Sequence, residues 1–186
     1  FIPILEETGL IIPAGRWMMR EAMGKCSEIR KVLPGFRVSI NISQVQASKS
    51  DVIQDISAEM KRAGLPLEAL IVELTESALL EDNSNARHFL KELRKAGIRL
   101  ALDDFGTGYS SLNHIREIPI DVIKVDQSFV KDLAGDAYSQ SFIKMVAELA
   151  QTIGVSVCVE GIETPEQFKV LQGMKVKYIQ GYYFDR

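Results

Sequence analysis

Apolar positions recur along this chain in two periods that take turns. Residues 37–42 alternate sides with period two, as a strand does, and residues 51–63 place Val52, Ile53, Ile56 and Met60 on one helical face. The same exchange repeats: strand at 70–74, helix at 85–96 with Phe89, Leu90 and Leu93 inward, strand at 98–102. A Gly/Ser-rich loop and a short helix near Leu112 follow, then a strand at 121–125. A long helix then carries Phe142, Ile143, Val146, Leu149, Ala150 and Ile153 at helical spacing. The series ends with a strand at 155–159, a helix at 165–172 capped by Thr164 with Pro165 in first position, and a strand at 178–181. Gly64, Gly97, Gly154 and Gly173 each fall where a helix stops before the next strand.

Alternation of this kind predicts an α/β fold with a parallel sheet, either doubly wound or a (β/α)8 barrel. Roughly six strands are legible, two short of a full barrel. The opening stretch, residues 1–31, is helical in pattern and reads as the helix after an earlier strand. The 186 residues are expected to form one domain, and no repeat or low-complexity stretch interrupts them.

Polar residues concentrate where the strands end. In order these are Asn41, Glu73, the pair Asp103 and Asp104, Lys124, Glu160 and Gln180. C-terminal ends of parallel strands point the same way, so these side chains converge on the rim that carries the active site in barrels. Parity agrees with this placement. Ser156 and Cys158 share the side of Glu160, while Val155, Val157 and Val159 lie opposite; likewise Ser39 and Asn41 oppose Val38 and Ile40. Any one of these residues alone is equally well read as an N-cap or a solvated loop end; the set is not.

Converging carboxylates repel one another unless a cation joins them. A donor set of oxygens without thiolate or imidazole favours a hard ion, Mg²⁺ or Mn²⁺. Paired ions of this type are a recurrent solution for phosphodiester hydrolysis. Lys124 is placed to orient a water or to offset charge developing on phosphate.

Composition narrows the partners. Hydrophobic content of 46% and charge of 25% are ordinary for a globular chain, and the formal net charge of -3 announces no DNA- or RNA-binding surface. No apolar run approaches the roughly 20 residues of a membrane span. Cys26 and Cys158 form no C-x-x-C pair and read as reduced thiols of a cytoplasmic protein, although the parent protein is free to be membrane-anchored. His88 and His114 are isolated, which argues against a zinc site or a Ser/His/Asp triad.

The motifs that carry these residues resemble the EAL domain family of cyclic di-GMP phosphodiesterases and their degenerate relatives. They are Ser39-Ile-Asn-Ile-Ser43, Glu73-Leu-Thr-Glu-Ser77, Asp103-Asp-Phe-Gly-Thr-Gly-Tyr-Ser-Ser-Leu112, Ile123-Lys-Val-Asp126, Glu160-Gly-Ile-Glu-Thr164 and Gln180-Gly-Tyr182. They run in the family's order over nearly the whole chain. The resemblance implies a TIM-type barrel with its first strands and last helix outside this sequence. It implies Asn41, Glu73, Asp103 and Glu160 as ligands of a first Mg²⁺ or Mn²⁺, with Asp103 bridging to a second held by Asp104. Lys124 matches the lysine that assists the hydrolytic water, and Glu76 the glutamate that anchors the loop from Phe105 to Leu112. Asp126, Glu163 and Gln180 match further supporting positions. The implied reaction opens cyclic di-GMP to linear pGpG. A homodimer and an upstream sensor or GGDEF domain are the partners the family implies.

The Glu-Ala-Leu signature that names the family does not precede these motifs. The tripeptide Glu68-Ala69-Leu70 leads into the strand of Glu73 instead of ending a strand of its own. Two readings follow: a fragment of an intact enzyme, or a short form that binds cyclic di-GMP or protein partners without catalysis. The intact metal positions favour the fragment.

Overall fold

A computed structural model describes residues 1–48, 52–76, 78, 84–108 and 118–184. The short helix expected near Leu112, His114, and the loop beyond Gly108 lie outside the described residues. The chain divides into two compact units, residues 1–100 and 101–186.

The first unit opens with α1 (Ile2–Glu7) and α2 (Ile11–Arg30). The apolar pattern predicts one continuous helical stretch; Gly9, at φ 74, breaks it into two. β1 (Val38–Asn41) follows, then the four-residue α3 (Gln44–Ala47) and α4 (Val52–Ala63). A 3-10 turn over Leu67–Ala69 leads into β2 (Leu70–Thr75), and α5 (Ser84–Ala96) closes the unit. Glu68 and Ala69 thus sit in a turn ahead of β2, as their spacing implies. β1 and β2 are parallel, with Val38 opposite Leu70 and Asn41 opposite Glu73.

Helices α2 and α4 pack together through Met19, Met23, Ile56 and Met60, each 1% exposed or less. Their rims carry ion pairs, Arg16 with Asp55 at 2.7 Å and Arg20 with Glu59 at 3.2 Å. Exposed pairs of this type contribute about 0.2–1 kcal/mol each, whereas truncating a buried Ile or Met to Ala removes about 2–5 kcal/mol. The apolar seam holds this unit together; the ion pairs align it.

The second unit begins within β3 (Arg99–Phe105) and continues through β4 (Val122–Val125), α6 (Ala137–Ile153), β5 (Ser156–Val159), α7 (Pro165–Gln172) and β6 (Tyr178–Ile179). β3, β4, β5 and β6 pair in chain order, all parallel. Val125, Ile143, Val146, Val159 and Ile162 are fully buried between these strands and the helices. α7 starts as its sequence dictates: Thr164 accepts from the Gln167 N–H, and Gln167 Oε1 accepts from the Thr164 N–H at 3.0 Å. The Gln167 Nε2 donates to Val130 O at 2.9 Å, clasping the turn after β4 to the start of α7.

Two expectations need correction. The pattern ends β3 at Leu102, but the strand runs to Phe105, so Asp103 and Asp104 stand within it and not beyond it. The pattern carries β6 to Gly181; the strand covers Tyr178 and Ile179, and Gln180 follows it, exposed. Neither Cys26 nor Cys158 forms a disulfide, and both are buried. Among the described residues no helix is long and apolar enough to cross a membrane.

Candidate functional site

In the first unit, Asn41 closes β1 opposite Glu73, which stands within β2 and not at its end, because that strand runs on to Thr75. The ladder continues one residue further, with the Ile42 N–H donating to Glu73 O at 3.0 Å. The turn after Asn41 is then closed by a capping box. Ser43 Oγ accepts from the Gln46 N–H at 3.3 Å, and Gln46 Oε1 accepts from the Ser43 N–H at 3.1 Å. Glu73 and Glu76 are both buried, at 7% and 6% exposure. Holding an ionised carboxylate at that depth is costly without a compensating charge or hydrogen bond.

In the second unit, the order of the strands puts β4 between β3 and β5. Lys124 on β4 is buried and reaches both neighbours: its Nζ lies 2.9 Å from Asp103 Oδ1 and 2.8 Å from Glu160 Oε1. Cys158 stands opposite Lys124 in the ladder, and Glu160 follows β5, its N–H donating to Val125 O at 3.1 Å.

β3 reaches this arrangement by an irregularity. Leu102 pairs with Ile123 and Phe105 with Val125, so three steps along β3 match two along β4. The extra residue is a bulge across Asp103 and Asp104, a device that re-aims side chains beside active sites. Asp103 turns inward at 9% exposure while Asp104 is exposed. Among the described residues Asp104 is the one non-glycine with positive φ, at 54°. An L-residue held there costs about 1–2 kcal/mol. The Asp104 N–H donates to Asp103 Oδ1 at 3.1 Å, and Asp104 O accepts from Thr107 Oγ at 2.9 Å.

The electrostatics follow from the crowding. Partial burial and the nearby carboxylates of Asp103 and Asp126 push the Asp104 carboxyl above the usual aspartate range, and Lys124 pulls it back in part. Asp126 caps the 3-10 turn at Gln127–Phe129, its Oδ1 accepting from the Ser128 N–H at 2.9 Å. Glu163 is exposed; its N–H donates to Gln167 Oε1 at 2.8 Å. Gln180 takes part through its main chain, its N–H donating to Val159 O and its carbonyl accepting from the Ile162 N–H.

The base of the glycine-containing loop rests on aromatic rings. Phe129 and Phe142 stack with centroids 4.1 Å apart and planes at 12°. Gly106, at φ 97, lies so close that a Cβ there would stand 2.7 Å from both rings. The sequence pattern does not single out this platform, although Gly106 stands directly after the Asp103-Asp104-Phe105 run.

The expected residues therefore fall into two groups. Asn41, Glu73 and Glu76 belong to the first unit, and Asp103, Asp104, Lys124, Asp126, Glu160, Glu163 and Gln180 to the second. Within the second, Lys124 joins Asp103 to Glu160, and Asp104 feels the charges of Asp103 and Asp126. Among the described residues no three His, Cys, Asp or Glu side chains make a ready metal cluster. The donor chemistry nevertheless fits a hard divalent ion. The donors are oxygens, the class that hard divalent ions take; burial first, and the carboxylates of Asp103 and Asp126 second, raise the proton affinity of Asp104.

Comparison with known proteins places this arrangement. The chain is 38% identical over 182 residues to the cyclic di-GMP phosphodiesterase PA2567 of Pseudomonas aeruginosa, covering 98% of this chain and 31% of that protein. It superposes on the EAL enzyme Bd1971, in a form with cAMP and cyclic di-GMP bound, with a TM-score of 0.95 at 31% identity, over 100% of this chain and 52% of that one. The PaMucR phosphodiesterase in complex with c-di-GMP matches with a TM-score of 0.90 at 30% identity, over 100% of this chain and 76% of that one. The expected fold class, the α/β barrel fold of these enzymes, is thereby shown. The chain spans less than a third of the length of the curated relatives it matches. The family model for the EAL domain covers residues 1–186 from end to end, and this chain belongs to the EAL domain family.

Proposed function

We propose that this chain is the catalytic portion of a phosphodiesterase that hydrolyses cyclic di-GMP to linear pGpG with divalent metal. The observation that carries the reading is Lys124, buried on a central strand and ion-paired to acidic residues on both sides. A lysine so held is presented at a fixed point by two carboxylates, which is what a phosphoryl group gaining charge requires. Relatives named as cyclic di-GMP phosphodiesterases supply the substrate class.

Asn41, Glu73, Asp103, Asp104 and Glu160 would hold Mg²⁺ or Mn²⁺, two ions by the family's pattern. Bound there, such ions supply Lewis acidity toward the phosphodiester and lower the pKa of an attacking water. The protein's own residues do the rest. Asp103 and Glu160 fix the Lys124 ammonium from two sides, and Lys124 holds the water or the phosphoryl oxygen against it. The bulge at Asp104 sets its carboxylate apart from that of Asp103, so that the two adjacent residues serve different positions. For the parent protein, a homodimer and an upstream sensor or GGDEF domain are part of the same reading.

The test is chromatographic. Cyclic di-GMP is incubated with the protein and Mg²⁺ or Mn²⁺, and linear pGpG is followed with and without EDTA. Product that EDTA abolishes supports the enzyme. Tight binding of cyclic di-GMP without product, in this chain and in an N-terminally extended one, replaces it with the receptor reading.

A further inference from the structure

The slot between α2 and the turn after β1 serves no purpose in the reaction as described, yet it is closely fitted. Gly15 lies buried in the second turn of α2. A Cβ there would stand 2.1 Å from Gln46 Nε2 and 3.1 Å from its Cδ. The Gln46 amide therefore occupies the place where any other residue at 15 would put its side chain. At 4% exposure it has no room to swing aside.

That amide has a second task. Its Oε1 accepts the Ser43 N–H, and the Gln46 N–H donates back to Ser43 Oγ. Ser43 is two residues beyond Asn41, and Ile42 between them is tied to Glu73 O. The main chain at Asn41 is thus fixed on one side by the β1–β2 ladder and on the other by a box whose far end is pressed against α2. A glutamine amide in an open turn samples many rotamers; pinned against Gly15 it has one.

We propose that Gly15 and Gln46 are positioning residues for Asn41, with the Gly15 gap locking the Gln46 amide so that the Asn41 side chain is held in place for a divalent cation. The proposal rests on the reading of Asn41 as a metal ligand. Groups that orient a ligand from behind typically change metal affinity about 10–100-fold when removed.

The test is calorimetric titration of Mn²⁺ into wild type and into the Gln46→Ala, Gly15→Ala, Ser43→Ala and Gly15→Ala/Gln46→Ala variants, with thermal melts of each in EDTA. Each single variant is expected to bind Mn²⁺ about ten-fold or more weakly. In the double variant the methyl introduced at position 15 refills the space the amide left, so stability returns while affinity stays low. Affinity that returns with stability in the double variant makes the pair a packing contact and overturns the proposal. So do single variants that melt lower and bind as wild type does. Ser43→Ala breaks the box without entering the slot, so it tests the idea even where Gly15→Ala does not fold. Wild type that takes up no Mn²⁺ removes the metal site on which the proposal rests, and the proposal with it, a result distinct from the other two.

Discussion

Lys124 Nζ lies 2.8 Å from Glu160 Oε1, with only 8% and 18% of the two side chains exposed. With Asp103 on the other side at 2.9 Å, one ammonium answers two carboxylates. This group of three carries one formal net negative charge, and a divalent ion bound as proposed would compete with Lys124 for the same oxygens. Removing Lys124 leaves two inward carboxylates facing each other. Lys124→Met is expected to lower stability in EDTA by about 3 kcal/mol, the loss found when one partner of a buried pair is deleted. Mn²⁺ should then restore more stability to the variant than it adds to wild type, while turnover falls about 10²–10³-fold. Urea unfolding with and without Mn²⁺ measures the first, and pGpG formation the second. Equal Mn²⁺ stabilisation of both proteins would place the ion away from these carboxylates.

Glu160→Gln separates charge from shape. The amide keeps the size of the side chain and an oxygen that can accept from Lys124, and the Glu160 main-chain bond to Val125 is untouched. Melting is expected to shift by only a few degrees, whereas turnover should drop to background. A variant that still produces pGpG at the wild-type rate removes Glu160 from the metal site.

The loop that follows Asp104 makes a steric prediction. Gly106→Ala puts a methyl 2.7 Å from the rings of both Phe129 and Phe142 and holds an L-residue at φ 97. Overpacking and left-handed strain together should lower stability by about 2–4 kcal/mol. Adding Phe142→Leu relieves one of the two close contacts and leaves both the Phe129 contact and the backbone strain, so the double variant should recover part of the loss and not all of it. Full recovery would mean the backbone conformation at 106 contributes nothing.

These residues show what the sequence made legible. Thr164-Pro165 and Gln167 specify the start of α7 locally, and helix and cap appear where the pattern places them. The gathering of Asp103, Lys124 and Glu160 was legible as well, because parallel strands that end in polar residues aim them at one rim. The course of β3 was not. Two consecutive aspartates read as the end of a strand, and only the partner strand reveals a bulge that carries the ladder to Phe105. The four residues of α3 are too few to show a helical period. Gly15 and Gln46 stand far apart in the sequence, and nothing in either local pattern announces that one leaves room for the other.

The start of α6 yields a prediction in pH. Asp136 caps that helix: its Oδ2 accepts from Ser139 Oγ and from the Ser139 N–H at 3.0 Å, and its Oδ1 accepts from the Tyr138 N–H at 3.1 Å. The Ser139 hydroxyl, then the two main-chain N–H groups, hold the carboxyl below the usual aspartate range. A carboxyl depressed in the folded state adds stability that is fully present above its unfolded value, about 3.9, and is lost as pH falls through the folded value. Asp136→Asn keeps an oxygen for the cap but removes the charge that the helix N-terminus favours. Wild type should therefore exceed the variant in urea midpoint at about pH 6, and the gap should be smaller at a pH below the ordinary aspartate value of about 3.9, narrowing further as the carboxyl protonates. A gap of the same size at both pH values would assign the cap to hydrogen bonding alone, with no contribution from the charge.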